Sequence, residues 1–203
     1  LHFYFHLHLS LDYPRVEVGS ENPLRVEREG TAKLECKVDA KPKVSTVRWT
    51  RDGRFISSSP THTIHRVSQQ DGGEYECSAD NGLGRTGSQK IQLDVLFAPI
   101  VVIETKTREA EEREGINIRC NVTSNPPPVT IEWVKEGNPE FHQASEVLSI
   151  NDIRAEHAGT YICRAINNMR PSGVKGFERI GNSTVAVLVR HRPGKAVITP
   201  NKP

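Results

Sequence analysis

One pattern occurs twice in this chain: a cysteine, a tryptophan thirteen positions later, and then Gly-x-Tyr-x-Cys. The first copy is Cys36, Trp49, Gly73, Tyr75 and Cys77; the second is Cys120, Trp133, Gly159, Tyr161 and Cys163. The copies are offset by 84 residues at the first Cys and the Trp, and by 86 at the Tyr and the second Cys. A two-sheet sandwich gives each of these residues a mechanical task. An inward Cys on one sheet meets another across the core, the Trp packs its ring against the bridge, and the Tyr turns its hydroxyl back to the backbone at the corner before its strand.

The spacing therefore predicts an all-β chain of two tandem immunoglobulin-like β-sandwiches, each with one inter-sheet disulfide. At about 100 residues per sandwich, 203 residues accommodate two. Four cysteines allow three pairings, and sandwich geometry selects Cys36 with Cys77 and Cys120 with Cys163. In the chain-entropy model each closed loop contributes on the order of 4 kcal/mol. Such bonds persist in oxidising compartments, which places the chain in the secretory pathway and then outside the cell; the alternative is an intracellular sandwich with reduced cysteines. The short span between the paired cysteines predicts the I-set or C2-like kind, with no room for the two additional strands of a variable-type sandwich.

Alternation of apolar and polar residues divides the chain into a non-domain segment 1–11, a sandwich over 12–97, a second over 98–191, and the start of a further one at 192–203. In the first sandwich, strands are expected from Asp12 and over 32–38, 47–50, 63–67, 73–79 and 88–96, with Asn81 and Gly82 turning the last pair. In the second, Asn125 and three prolines form a rigid extended loop, and strands cover 146–150 and 184–189. The junction has no Gly/Ser-rich spacer and is expected to be stiff. His157 replaces Asp71 before the corner glycine, offering one donor and one acceptor where the first copy has a carboxylate.

Two Asn-x-Ser/Thr sequons, at Asn121 and Asn182, agree with an extracellular chain. Because Cys120 must point inward, Asn121 must point to solvent, where a glycan fits. A glycan there would shield one face of the second sandwich and leave the opposite face, or the loop tips, for binding.

With 27 basic and 25 acidic residues scattered along the chain, nucleic acid is not an expected partner. No nucleophile elbow, phosphate-cradling loop or metal-ligand spacing is present, so neither catalysis nor a cofactor is expected. His2, His6 and His8 sit on a terminal tail without supporting residues, and no metal site is assigned to them. No apolar run approaches the roughly twenty residues of a membrane helix, so any anchor would lie outside these residues. Function should then be recognition through outer faces and loops. Two patches are candidates: Arg48, Thr50, Glu74 and Glu76, outward on two strands of the first sandwich, and Arg170, Lys175, Phe177 and Arg179, in a connection about eight residues longer than its counterpart.

Several longer stretches go beyond the general pattern: Leu11-Asp-Tyr-Pro-Arg-Val-Glu-Val-Gly, Gly53-Arg-Phe-Ile-Ser-Ser-Ser, Val101-Val-Ile-Glu-Thr-Lys-Thr-Arg-Glu-Ala-Glu-Glu, Val129-Thr-Ile-Glu-Trp and Arg190-His-Arg-Pro-Gly-Lys-Ala-Val-Ile-Thr-Pro-Asn-Lys-Pro. In these, residues 12–203 resemble ectodomains of the insect echinoid and friend-of-echinoid adhesion receptors. The resemblance implies a single-pass protein of cell junctions that binds itself or a related immunoglobulin-type receptor and modulates growth-factor-receptor and Notch signalling. Apart from the resemblance, the ectodomain of a soluble-ligand receptor or a secreted binding protein would read the same way.

Overall fold

The computed structural model describes residues 11–19 and 21–191. The tail bearing His2, His6 and His8 and the start of a further sandwich expected at 192–203 lie outside the described residues. The chain forms two compact units: the first ends at Phe97 and also takes in Arg170–Gly176, and the second begins at Ala98 and holds the remainder.

In the first unit the strands are β1 (Asp12–Val18), β2 (Leu24–Glu27), β3 (Thr31–Lys41), β4 (Val47–Arg51), β5 (Arg54–Ser57), β6 (Thr61–His65), β7 (Gly73–Ala79) and the 87–97 portion of β8 (Gly87–Val102). One sheet runs β1-β3-β6; the other runs β8-β7-β4-β5, with β2 parallel to β8. The period of two in β3 turns Ala32, Leu34 and Cys36 inward, where they meet Trp49, Val67, Tyr75, Cys77, Ile91 and Leu93 in one core. Cys36 and Cys77 are bridged across the sheets, and Trp49 is the direct cross-strand neighbour of Cys77.

The second unit repeats the plan with β9 (Thr107–Glu111), β10 (Ile116–Arg119), β11 (Asn121–Asn125), β12 (Thr130–Lys135), β13 (Asn138–Gln143), β14 (Val147–Ile150), β15 (Gly159–Met169) and β16 (Phe177–Arg190). Its larger sheet is β13-β12-β15-β16-β9; β10 pairs with β14, and β11 pairs with β8. Cys120 and Cys163 form the bridge, and Trp133, fully buried, pairs with Cys163.

The larger sheet of each unit gains one edge strand where the spacing left no room for two. A two-residue turn at Asp52 and Gly53, both at positive φ, sends the chain straight back as β5 along β4, and Glu136 and Gly137 do the same for β13 along β12. Turns this short, with Gly at the left-handed position, need only four to six further residues for an edge strand. The long connection in the second sandwich is corrected. Eleven residue pairs join β15 to β16 against seven joining β7 to the 87–93 part of β8, so the eight additional residues are four more rungs of ladder. The joining segments, 80–86 and Arg170–Gly176, are equal in length.

Three further devices recur in both copies. Tyr75 Oη donates to Asp71 O at 2.8 Å and Tyr161 Oη to His157 O at 2.9 Å. Ahead of each tyrosine a short 3₁₀ turn is held by a side chain: Asp71 Oδ2 accepts from Ser68 N at 2.7 Å and Ser68 Oγ at 2.6 Å, while His157 Nδ1 accepts from Arg154 N at 2.8 Å. His157 thus supplies, through its ring nitrogen, the backbone-facing acceptor that a carboxylate oxygen supplies in the first copy. Asn81 Nδ2 donates to Pro42 O at 3.2 Å and Asp12 O at 2.8 Å, and the buried Asn167 donates to Pro126 O at 3.0 Å. The Asn81 side chain therefore clamps neighbouring chain segments as well as serving the turn. Glycine is required where the first strand crosses close to the last: a Cβ at Gly87 would stand 2.1 Å from Pro14 O, and one at Gly181 would stand 1.9 Å from Pro99 O.

Candidate functional site

In each unit the inward residues of the larger sheet are spent on the core, so its outward residues are the ones that face solvent. In the first unit, Arg48 and Thr50 alternate outward on β4, and Glu74 and Glu76 alternate outward on β7, with Thr50 directly opposite Glu76. The register therefore brings the four sequence candidates onto one face. Arg48 and Glu74 are exposed; Thr50 and Glu76 are half-buried. Two residues that sequence reasoning missed complete the face. Phe55 on β5 is 56% exposed, and the Arg48 guanidinium lies 5.4 Å from its ring centroid. Lys90, opposite Glu76 on β8, reaches Glu74 Oε1 at 2.7 Å, and that hydrogen bond raises the lysine pKa. Phe55 went unread because its edge strand was not expected; the run Asp-Gly between Trp49 and Phe55 was the available signal.

The matching face of the second unit is built differently. Glu132, the residue before Trp133, is buried although it points outward. Arg164, its cross-strand partner, donates from Nε to Glu132 Oε1 at 2.6 Å and from Nη2 to the same oxygen; His142 Nε2 contacts Oε2. Burial pushes the Glu132 carboxyl up, but the Arg164 and His142 hydrogen bonds outweigh it and hold the carboxyl below the usual glutamate range. Around this closed ion cluster stand half-buried Val134, Ile162 and Ile166 and the exposed Ile180.

The second sequence patch is not brought onto one unit. Arg170 and Lys175 are exposed within Arg170–Gly176, which belongs to the first unit, whereas Phe177 and Arg179 belong to the second. There the Arg179 guanidinium stacks 4.4 Å from the Phe177 ring centroid, on the added rungs of the β15–β16 ladder. Both sequon asparagines are exposed: Asn121 on β11 and Asn182 on β16. Among the described residues no three His, Cys, Asp or Glu side chains gather in a metal-holding group, and no helix is long and apolar enough to cross a membrane.

A family model for the immunoglobulin domain matches residues 14–81 and again 98–167. The chain belongs to the immunoglobulin domain family. It is 27% identical to mouse (Mus musculus) B-cell receptor CD22 over 168 residues, covering 77% of this chain and 19% of that protein. To chicken (Gallus gallus) Contactin-5 it is 31% identical over 166 residues, covering 76% of this chain and 16% of the relative. The chain thus spans less than a fifth of either relative's length. Among solved structures, that of Dpr2 Ig1-Ig2 in complex with DIP-Theta Ig1-Ig3 matches with a TM-score of 0.56 at 18% identity, over 89% of this chain and 66% of the matched one.

Proposed function

We propose that this chain is part of the extracellular region of a cell-surface adhesion receptor, and that it binds a second copy of itself or a related immunoglobulin-domain receptor through the β5-β4-β7-β8 face of its first sandwich. The observation that carries this reading is the grouping of exposed Phe55 under Arg48 beside Glu74 and Glu76. Aromatic residues, Phe among them, and arginine are enriched in protein interfaces relative to the rest of the surface. Opposite charges on adjacent strands also permit a two-fold pairing in which Arg48 of each copy faces Glu76 of the other. A two-domain immunoglobulin fragment, Dpr2 Ig1-Ig2, forms a complex with another immunoglobulin chain, and the same mode of use is proposed here. The echinoid-like stretches support the finer assignment: a single-pass receptor of cell junctions that modulates growth-factor-receptor and Notch signalling, anchored by a segment beyond these residues.

Adhesion of this kind is weak per pair and strengthened by many copies on a surface. The test is aggregation of beads coated with the secreted, disulfide-bonded chain, alone and mixed with beads bearing an echinoid-type ectodomain. Clustering that free chain competes away is the expected result. Dispersed beads in both arms, with folded protein, would overturn the reading, and a tight one-to-one complex with a diffusible ligand would replace it with a soluble-ligand receptor.

A further inference from the structure

The second unit presents a half-apolar outer face, and a sequon stands on it. Asn182 lies on β16 directly opposite Arg164. Ile180 and Thr184 are its same-face neighbours along the strand, and they pair with Ile166 and Ile162. On a pleated sheet, residues two apart along a strand are about 7 Å apart and direct cross-strand partners are about 5 Å apart. Asn182 thus has Ile162, Ile166, Ile180 and Arg164 as near neighbours on that face. Its side chain is exposed, as is that of Thr184, the hydroxyl residue that completes the acceptor triplet.

We infer that Asn182 carries an N-linked glycan whose first sugars lie over this face and close it to protein partners. The apolar side of a sugar ring packs on aliphatic side chains while its hydroxyls remain in water, so such a glycan fits Ile162 and Ile180. Its acceptor oxygens also lie within reach of Arg164. The other sheet of the same sandwich differs. Its outer residues around Asn121 are polar: Arg119 pairs with Glu146 at 3.2 Å, and Ser149 Oγ bonds Asn117 at 2.7 Å. A glycan at Asn121 would there stand over a surface that is already hydrated. On this inference the face opposite Asn121, expected to stay open, carries its own acceptor. Two strands of the second sandwich, β11 and β16, then each bear an attachment point, and the first sandwich has no sequon.

The inference rests on the extracellular half of the proposed function, because N-glycans are added in the secretory pathway, and is independent of adhesion. The experiment is secretory expression of the whole chain, with peptide mass analysis of Asn121, Asn182 and both disulfides. It is paired with binding of an environment-sensitive hydrophobic dye to wild type, Thr184→Ala, Asn121→Gln, and wild type trimmed after folding to a single sugar per site. The expected result is an occupied Asn182 and at least a roughly twofold rise in dye binding for Thr184→Ala and for the trimmed protein, with none for Asn121→Gln, because an uncovered apolar patch attracts the dye. The trimmed sample keeps the test valid if Thr184→Ala misfolds. An unmodified Asn182 in secreted, disulfide-bonded chain overturns the inference alone. Occupancy with unchanged dye binding on trimming overturns the coverage. Reduced cysteines with no glycan at either site would instead overturn the extracellular reading itself.

Discussion

The residue before the core tryptophan is Arg48 in the first sandwich and Glu132 in the second, and the residue after the second cysteine is Ser78 in one and Arg164 in the other. These positions occupy the same places in the two ladders, facing away from the core. In the first sandwich the charge is exposed and rests on an exposed ring; in the second it is buried beneath Arg164 and His142. The repeat therefore specifies the inward face of each sheet and leaves the outward face to diverge. One sandwich keeps an open, mixed-charge surface, and the other buries a carboxylate under two exposed cationic partners.

If the cores are equivalent while the faces differ, substitutions should sort accordingly. The largest losses are expected from Trp49→Ala and Trp133→Ala, about 3–5 kcal/mol each for removing a fully buried ring, read from denaturant unfolding of the sandwich concerned. A large disparity between the two would break the claim of matched cores. Next, Arg164→Ala should cost about 1–3 kcal/mol, because it strips the strongest partner from a buried carboxylate, whereas Ser78→Ala should fall within about 0.5 kcal/mol. Equal costs would erase the contrast between the faces.

Smaller again are the corners. Asp71→Ala and His157→Ala should each cost about 1 kcal/mol by releasing the backbone N–H that the side chain accepts, and His157→Asp should recover most of the loss in the second sandwich. The pH dependence distinguishes them further. Hydrogen bonds from Ser68 hold the Asp71 carboxyl below its ordinary value of 3.8, and Glu132 is likewise held below 4.5. For a depressed carboxyl the stabilisation is complete above the unfolded-state pKa and is lost as pH falls through the folded one. The stability gap between wild type and Glu132→Gln should therefore shrink on acidification below about pH 4.5. A gap that widens there would contradict the assignment. The least effect on stability is expected from Arg48→Ala, within about 0.5 kcal/mol, since its side chain is exposed.

Most of the inward face could be read from the chain because a period of two, pinned by Cys36, Trp49, Tyr75 and Cys77 and their repeats, sets the parity of whole strands. The outward placement of Arg48, Thr50, Glu74 and Glu76 follows from the same parity. What escaped depends on pairing across the chain. The edge strands β5 and β13 hang on two-residue turns, and without them Phe55 had no visible place. The rungs added to β15 and β16 looked like an open loop because Asn167, Asn168, Glu178 and Arg179 carry no strand preference. Burial of Glu132 is created by the register that sets Arg164 opposite it, which no local pattern contains. The clamps made by Asn81 and Asn167 were within reach: each asparagine stands four residues after the second cysteine, and Pro42 and Pro126 each stand six after the first.

We propose that the open face of the first sandwich is the one that recognises a partner. Its most direct test is mixed-bead aggregation with charge reversals on that face. Beads carrying Arg48→Glu, or beads carrying Glu76→Arg, should each cluster poorly with themselves, and mixing the two should restore clustering because each reversed charge meets its complement across a two-fold interface. Clustering undiminished by either reversal, with both proteins folded and disulfide-bonded, would contradict the account and move recognition away from this face.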